Sequence, residues 1–287
     1  MTKSPSPLPA LHTNWIGGDI QGLSGLAQVL FNFAESSNGP VTDLNHAVNR
    51  LVGNQPSYKG AAAGEFKDKF SQDMTDINWL SQRATSIGDI VDHLALALAK
   101  LEAWLEKIAE RGVAARYVAI DQSGNMSFPK GTSNPEVQKF IQDFNQRREE
   151  ALALAKKARR AAAQQLSAEY RALSAGMKNY RDNHKDLLSK NEISALGSWV
   201  SKLDSQSGYF NPKTGTKEHL VHAAAGAGIG ATVGAVIGGG VGGAIGLLGG
   251  PAAEVTVPAT AVAGAAAGNA IGASVGGLVG GIVGWAW

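Results

Sequence analysis

Few side chains in this chain stand at spacings that chemistry uses. The six histidines are His12, His46, His93, His184, His219 and His222, and only His219 and His222 are close, at i, i+3. Glu218 is the one acid beside them, too little for a persuasive metal site. Glu149-Glu150 is a carboxylate pair, but it follows Arg147-Arg148 on a charged helical stretch, not in an apolar pocket that would split two acids into different roles. Asp121, Ser123 and Asn125 alternate as in the opening of a calcium loop, and a β-turn explains them as well. No phosphate loop, nucleophile elbow or dinucleotide fingerprint is present, because the glycine-rich runs lack the preceding strand and the lysine or acid those devices need. The absence of cysteine excludes disulfides, Cys-ligated zinc, iron–sulfur clusters and a thiol nucleophile. A formal charge of +2 excludes a strongly basic nucleic-acid binder. The chain is therefore expected not to be an enzyme, to need no cofactor and to bind no nucleic acid.

The most regular spacing belongs to glycine. Residues 223–287 hold 20 of the 36 glycines and a single charged side chain, Glu254. Gly226, Gly230, Gly234, Gly238, Gly242, Gly246 and Gly250 fall four residues apart. After a loop bounded by Pro251 and Pro258 and containing Glu254, a second ladder runs through Gly264, Gly268, Gly272, Gly276, Gly280 and Gly284. Residues four apart share one side of a helix, so each ladder is a groove without side chains into which another helix can sink to backbone contact. In water such a helix is disfavoured, each glycine costing about 0.8–1.0 kcal/mol relative to alanine. In hydrocarbon an unpaired backbone group costs several kcal/mol, and helix is the only open-chain solution. The arms of 28 and 29 residues are each roughly 42 Å long as helix, enough for a bilayer core of ~30 Å with tilt or frayed ends. The loop makes them antiparallel, and only Glu254 must cross, at about 3 kcal/mol. Trp285 and Trp287 then anchor at an interface, on the side of Lys217, His219 and His222. A glycine-rich elastic tail, a hairpin buried in a soluble form and a plain anchor are the competing readings of this segment.

The elements before it read as helices. Apolar residues from Leu23 to Phe33 and from Val41 to Leu51 recur at helical spacing, and Asn38-Gly39-Pro40 between them is expected to break or kink the helix. A turn at 54–60 leads to a second helix. Its seam, Ile77, Leu80, Ala84, Ile87, Val91, Leu94, Leu98, Leu101, Leu105 and Ile108, alternates steps of three and four, which predicts a narrow stripe covered by a long partner helix. Tyr117 to Ile120, the turn Gln122-Ser123-Gly124-Asn125 and Met126 to Phe128 predict a short β-hairpin. Ser133-Asn134-Pro135 starts a helix whose face runs from Val137 to Tyr180, rich in alanine where a neighbour must come close. Arg147-Arg148, Lys156-Lys157 and Arg159-Arg160 form a basic stretch along it, open to two readings: a solvated face paired with Glu149 and Glu150, or a surface for anionic headgroups. Ile193, Leu196, Val200 and Leu203, with Trp199, predict one more short helix. Met1 to Asn14 is rich in Pro, Ser and Thr and precedes no apolar run, so a disordered tail is expected there and not a signal peptide.

Tyr58-Lys59-Gly60 closes the turn between the first two helices, and Ala61-Ala62-Ala63-Gly64-Glu65-Phe66 follows it. This arrangement resembles the WXG-type (ESX-like) domains exported by bacterial type VII secretion, with Tyr58 where those proteins carry tryptophan. Trp15-Ile16-Gly17-Gly18-Asp19 resembles the opening of such domains in larger actinobacterial effectors. The resemblance covers about residues 15–112 and implies Tyr58, Lys59 and Gly60 as an export turn. It also implies secretion with a possible small helical secretion partner, and a cognate immunity protein in the producer. Such proteins carry a Tyr-x-x-x-Asp/Glu signal after the second helix. Tyr117-Val118-Ala119-Ile120-Asp121 has its spacing, but a strand there would keep tyrosine and acid off one helical face.

The expected fold is all-α: a long helical hairpin or coiled coil with a small β-hairpin insert, then a two-helix glycine-zipper membrane hairpin. The expected order is a tail 1–14, a WXG-like hairpin 15–112, a β-hairpin connection 113–134, a long and a short helix 135–204, a linker 205–222 and the membrane hairpin 223–287. The function expected is that of a secreted antibacterial effector that enters a target cell membrane, self-associates through its glycine faces and depolarises the cell. The alternative is a non-toxic membrane-anchored scaffold with a helical stalk that binds partners.

Overall fold

The structure, a computed structural model, describes residues 3–52, 60–114, 118–128, 134–183, 185 and 190–207. They are mostly helical: α1 (Ile20–Val52), α2 (Ala61–Ala114), α3 (Pro135–Asn183) and α4 (Lys190–Ser207). A two-stranded antiparallel hairpin, β1 (Ala119–Ile120) and β2 (Met126–Ser127), lies between α2 and α3. α1 packs on α2, α2 on α3, and α3 on α4. At 54 residues and about 80 Å, α2 is the spine of the trunk.

The predicted seam is where α2 is buried. Ala84, Ile87, Val91, Leu94, Leu98 and Leu105 are in the core, and Leu80, Leu101 and Ile108 pack against it. The stripe is wider than expected, however. Ser81, Gly88, Asp92, Ala95, Ala99, Glu102, Glu106, Ala109 and Gly112 are buried as well, and from Gly88 to Ala109 these positions follow their own alternation of fours and threes beside the apolar one. A narrow coiled-coil stripe serves one partner helix; α2 has two, and an extended segment besides. α3 contributes Ile141, Phe144, Tyr170, Leu173 and Met177 to the core, with Ala151, Ala155, Ala162 and Ala163 in the middle where alanine admits a close neighbour.

Two element bounds differ from expectation. α1 continues as helix through Asn38-Gly39-Pro40, which excludes the break but not the kink, because a proline removes one bond from the ladder without unmaking the turns on either side. α4 extends to Ser207, three residues into the expected linker, whose remainder lies outside the described residues. The start of α3 is as expected: Asn134 Oδ1 accepts the Glu136 N–H at 2.9 Å, and Pro135 occupies the first helical position. The β-hairpin is present but shorter than predicted, pairing Ala119 with Ser127 and Ile120 with Met126. Asn145 of α3 braces it by accepting the Met126 N–H at 3.1 Å and donating to the Met126 carbonyl at 3.2 Å.

Aromatic rings sit on glycines of facing elements. A Cβ on Gly88 would come 2.7 Å from the Phe31 ring of α1, and a Cβ on Gly176 would overlap the Trp79 ring of α2. Alanine at either place gains about 1 kcal/mol of helix propensity but overpacks the contact by about 1–3 kcal/mol. Gly88→Ala and Gly176→Ala are therefore expected to lower unfolding free energy in urea titrations, and added stability in both would contradict the ring-on-glycine packing.

Candidate functional site

The residues with the densest long-range polar contacts are at the amino-terminal end. Residues 3–19, expected in part as a disordered tail, run along α2 as a strap. Pro5, Pro7 and Pro9 favour an extended course and leave few N–H groups to satisfy. The donors that remain meet carboxylates on the second stripe of α2. Asp92 accepts the Ser6 N–H at 2.8 Å and the Ser6 hydroxyl at 2.7 Å. Glu106 accepts the N–H groups of His12 and Thr13 at 2.7 and 2.6 Å. Glu102 accepts those of Trp15 and Ile16, both at 2.7 Å, and the Thr13 hydroxyl lies within reach of Glu102 and Glu106. Lys3 pairs with Asp89 at the exposed end.

Burial makes these bonds matter. Glu102 is wholly buried, at 0% exposure, and Asp92 and Glu106 are buried too. A carboxylate removed from water must be met by donors, and bonds between N–H groups and a charged acceptor are stronger than neutral ones. With the strap in place those donors are supplied by its backbone. Where the strap passes the second stripe, Ala95 and Ala99 have no bulk to keep it away.

Each residue of Trp15-Ile16-Gly17-Gly18-Asp19 has a structural task. Trp15 meets Phe144 of α3 edge-to-face, centroids 6.0 Å apart, and lies on Gly124 of the hairpin turn. Ile16 is buried. Gly17 and Gly18 adopt φ of 78° and 95°, a consecutive left-handed pair that residues with a Cβ resist. That turn aims the carbonyls of Ile16 and Gly17 at Arg159 of α3, whose Nη2 donates to them at 3.1 and 2.7 Å. Burial draws the Arg159 guanidinium down from its ordinary value, and its Nε is buried without a hydrogen-bond partner. Asp19 caps α1 by accepting the Gly22 N–H at 2.8 Å. The motif therefore ties α1, α2, α3 and the hairpin at one point.

The other candidates resolve as follows. Asp121 accepts from Ser123 and Asn125, through both backbone and side chain. The Ser123 hydroxyl and then the Asn125 N–H hold its carboxyl down to about 2, so it serves its own turn. Tyr117 lies outside the described residues, and β1 is a strand as the hairpin reading expected. Among the described residues no group of three His, Cys, Asp or Glu side chains is placed to hold a metal. His12, His46 and His93 are exposed; His184, His219 and His222 lie outside the described residues. Gly60 has φ 105° and its carbonyl accepts from Ala63 and Gly64, starting α2. Tyr58 and Lys59 lie outside the described residues, as do both glycine ladders, Pro251, Glu254, Pro258, Trp285 and Trp287. No protein-family model, curated protein or solved structure matches the chain.

Sequence patterning does not reveal the strap, because proline, serine and threonine read as tail composition and a hydrophobic seam takes no account of the acids beside it. The available signal was the second stripe, where Asp92, Glu102 and Glu106 alternate with Ala95 and Ala99 beside the apolar seam.

Two predictions follow from this geometry. Glu102→Ala strands the Trp15 and Ile16 N–H groups and is expected to cost about 3 kcal/mol in urea unfolding, with exchange of those two amides accelerated at least about tenfold. A loss under about 1 kcal/mol with both amides still protected would contradict the strap. At the far end of the trunk, Lys178 and then Ser174 hold the Asp204 carboxyl of α4 below its ordinary 3.8. A depressed carboxyl stabilises the fold fully above 3.8, and the gain is lost as pH falls through the lowered value. Asp204→Asn is thus expected to lower the Tm at pH 7, with the gap to the parent protein closing only below about pH 4; a gap independent of pH would refute this role.

Proposed function

We propose that the chain is a secreted antibacterial effector whose 223–287 segment enters a target membrane as an antiparallel helical hairpin and depolarises the cell. The observation that carries this reading is the pair of period-four glycine ladders, with one charged residue in 65. Such arms are poor helices in water and good ones in lipid, where side-chain-free grooves let them pack on each other or on copies. Thr232, Asn269 and Ser274 are the polar groups inside the arms, apart from Thr260 at an end, and they bond across helices or line a leak. Among the described residues no helix is long and apolar enough to cross a membrane; the segment assigned to the bilayer lies outside them.

The helical trunk, with its glycine-started α2, is the export and packing module of this reading. The resemblance to WXG-type domains supports export, a small helical secretion partner and an immunity protein that protects the producer. A membrane-anchored scaffold would share the insertion step without the leak.

The double replacement Gly234→Ile with Gly272→Ile fills both grooves. It is expected to abolish dye release from liposomes by the full chain while export from the producer survives. Release at the parental rate would reject the zipper mechanism, and insertion without any release by the parent protein would favour the anchored scaffold.

A further inference from the structure

The basic stretch of α3 is divided by the structure into two groups. Arg148 donates its Nε to the Ser123 carbonyl at 3.0 Å and faces Glu149, and Arg159 is committed to the strap carbonyls. Lys156, Lys157 and Arg160 remain exposed, and no hydrogen bond or ion pair among the described residues engages them. The pairing with Glu149 and Glu150 that would make them an ordinary solvated face is not geometrically possible along the helix. Those acids lie seven residues before Lys156 and Lys157, whereas helical neighbours are three or four apart. Glu150 accepts instead from Gln146. From Ala151 to Ala168 α3 has no acidic residue at all. In the strap turn facing α3 the acid is Asp19, whose carboxylate caps α1. Leu154, at 52% the one large hydrophobic that is exposed among the described residues, borders this cationic side, with Lys157 three residues on and Arg147 seven before it at helical spacing.

We infer that the exposed side of α3, from Arg147 and Leu154 through Lys157 to Arg160 and Lys156 at its far flank, is a docking surface for an anionic lipid bilayer. Clustered cations that lack local counter-charges are drawn to an anionic leaflet, and an exposed leucine among them gains by entering the headgroup boundary while lysine stems extend their ammonium groups outward. A nucleic acid would meet the charges but would gain little from the leucine. This deepens the proposed function by naming the lipid class that the trunk meets first, and it rests on that reading only for the step that follows docking.

The test uses the full chain and two kinds of vesicle, phosphatidylcholine alone and phosphatidylcholine with about 30 mol% phosphatidylglycerol. The variant is Lys156→Gln with Lys157→Gln and Arg160→Gln. Its control is Lys100→Gln with Lys107→Gln and Lys139→Gln, which removes the same charge from other exposed positions. The parent protein should bind the anionic vesicles at least about tenfold more tightly than the neutral ones, the more so at low salt. The variant should lose about tenfold or more of that binding and the control under about threefold, with equal thermal stability. Equal losses in variant and control would overturn the surface, as would a variant that binds anionic vesicles like the parent. Competition by double-stranded DNA that depends on the same three residues, at no lower affinity than the vesicles, would overturn the assignment to lipid. Dye release from neutral vesicles reads the glycine arms alone. Loss of release with charge-dependent binding intact would remove the pore and leave the surface, and the converse would remove the surface and leave the pore.

Discussion

A negative charge with no exposed surface lies in the middle of the trunk, and the fold is arranged around it. The Glu102 carboxylate cannot be hydrated, so it must be met by donors, and those it has come from the strap. Once Trp15 and Ile16 are fixed there, the rest of the junction follows. The glycine pair turns the chain, Asp19 opens α1 in the direction of α2, and the carbonyls released by the turn take the guanidinium of α3. A buried ionic group of this kind is weak evidence of net stability, because desolvation offsets much of its attraction. Its effect is on specificity: few other placements of an extended segment supply backbone donors at both Glu102 and Glu106. The strap is in this sense the last element of the core and not an appendage.

Periodicity carried much of the helical architecture. The apolar seam of α2 predicted a long helix needing long partners, and α1 and α3 cover it. The proline start of α3, its alanine-lined middle and the turn at Gly124 were readable because each depends on residues adjacent in sequence. The strap was not readable in that way, since its partners lie some 86–94 residues away and no local pattern encodes a pairing between backbone donors and distant side chains. The second stripe of α2 was hidden for a different reason. A hydrophobic pattern scores acids as outward-facing, and Glu102 and Glu106 are inward only because another segment satisfies them. Gly88 by itself is a local cost to the helix, and its use shows only when the Phe31 ring is placed against it.

The described trunk and the glycine arms obey opposite rules. The trunk pairs polar groups across its helices by geometry, through Glu169 with Arg83 and Ser86 between α2 and α3, and Asp204 with Lys178 and Ser174 between α3 and α4. That is construction suited to water, where each partner is chosen by geometry. Residues 223–287 carry almost nothing to be met in this way, and their regularity lies in what is missing from every fourth position. Under the proposed function, a chain with both parts keeps a specific fold in water and reserves a second for lipid. On the same reading the cationic side of α3 has a place between them, as the surface that would bring the trunk to the lipid.

Protease protection of the full chain on vesicles measures the central claim most directly. After digestion with a protease of broad specificity, the account predicts a lipid-protected fragment within about residues 223–287, identified by mass and absent when vesicles are omitted. Digestion of that segment to small peptides, equally fast with and without vesicles, would contradict it.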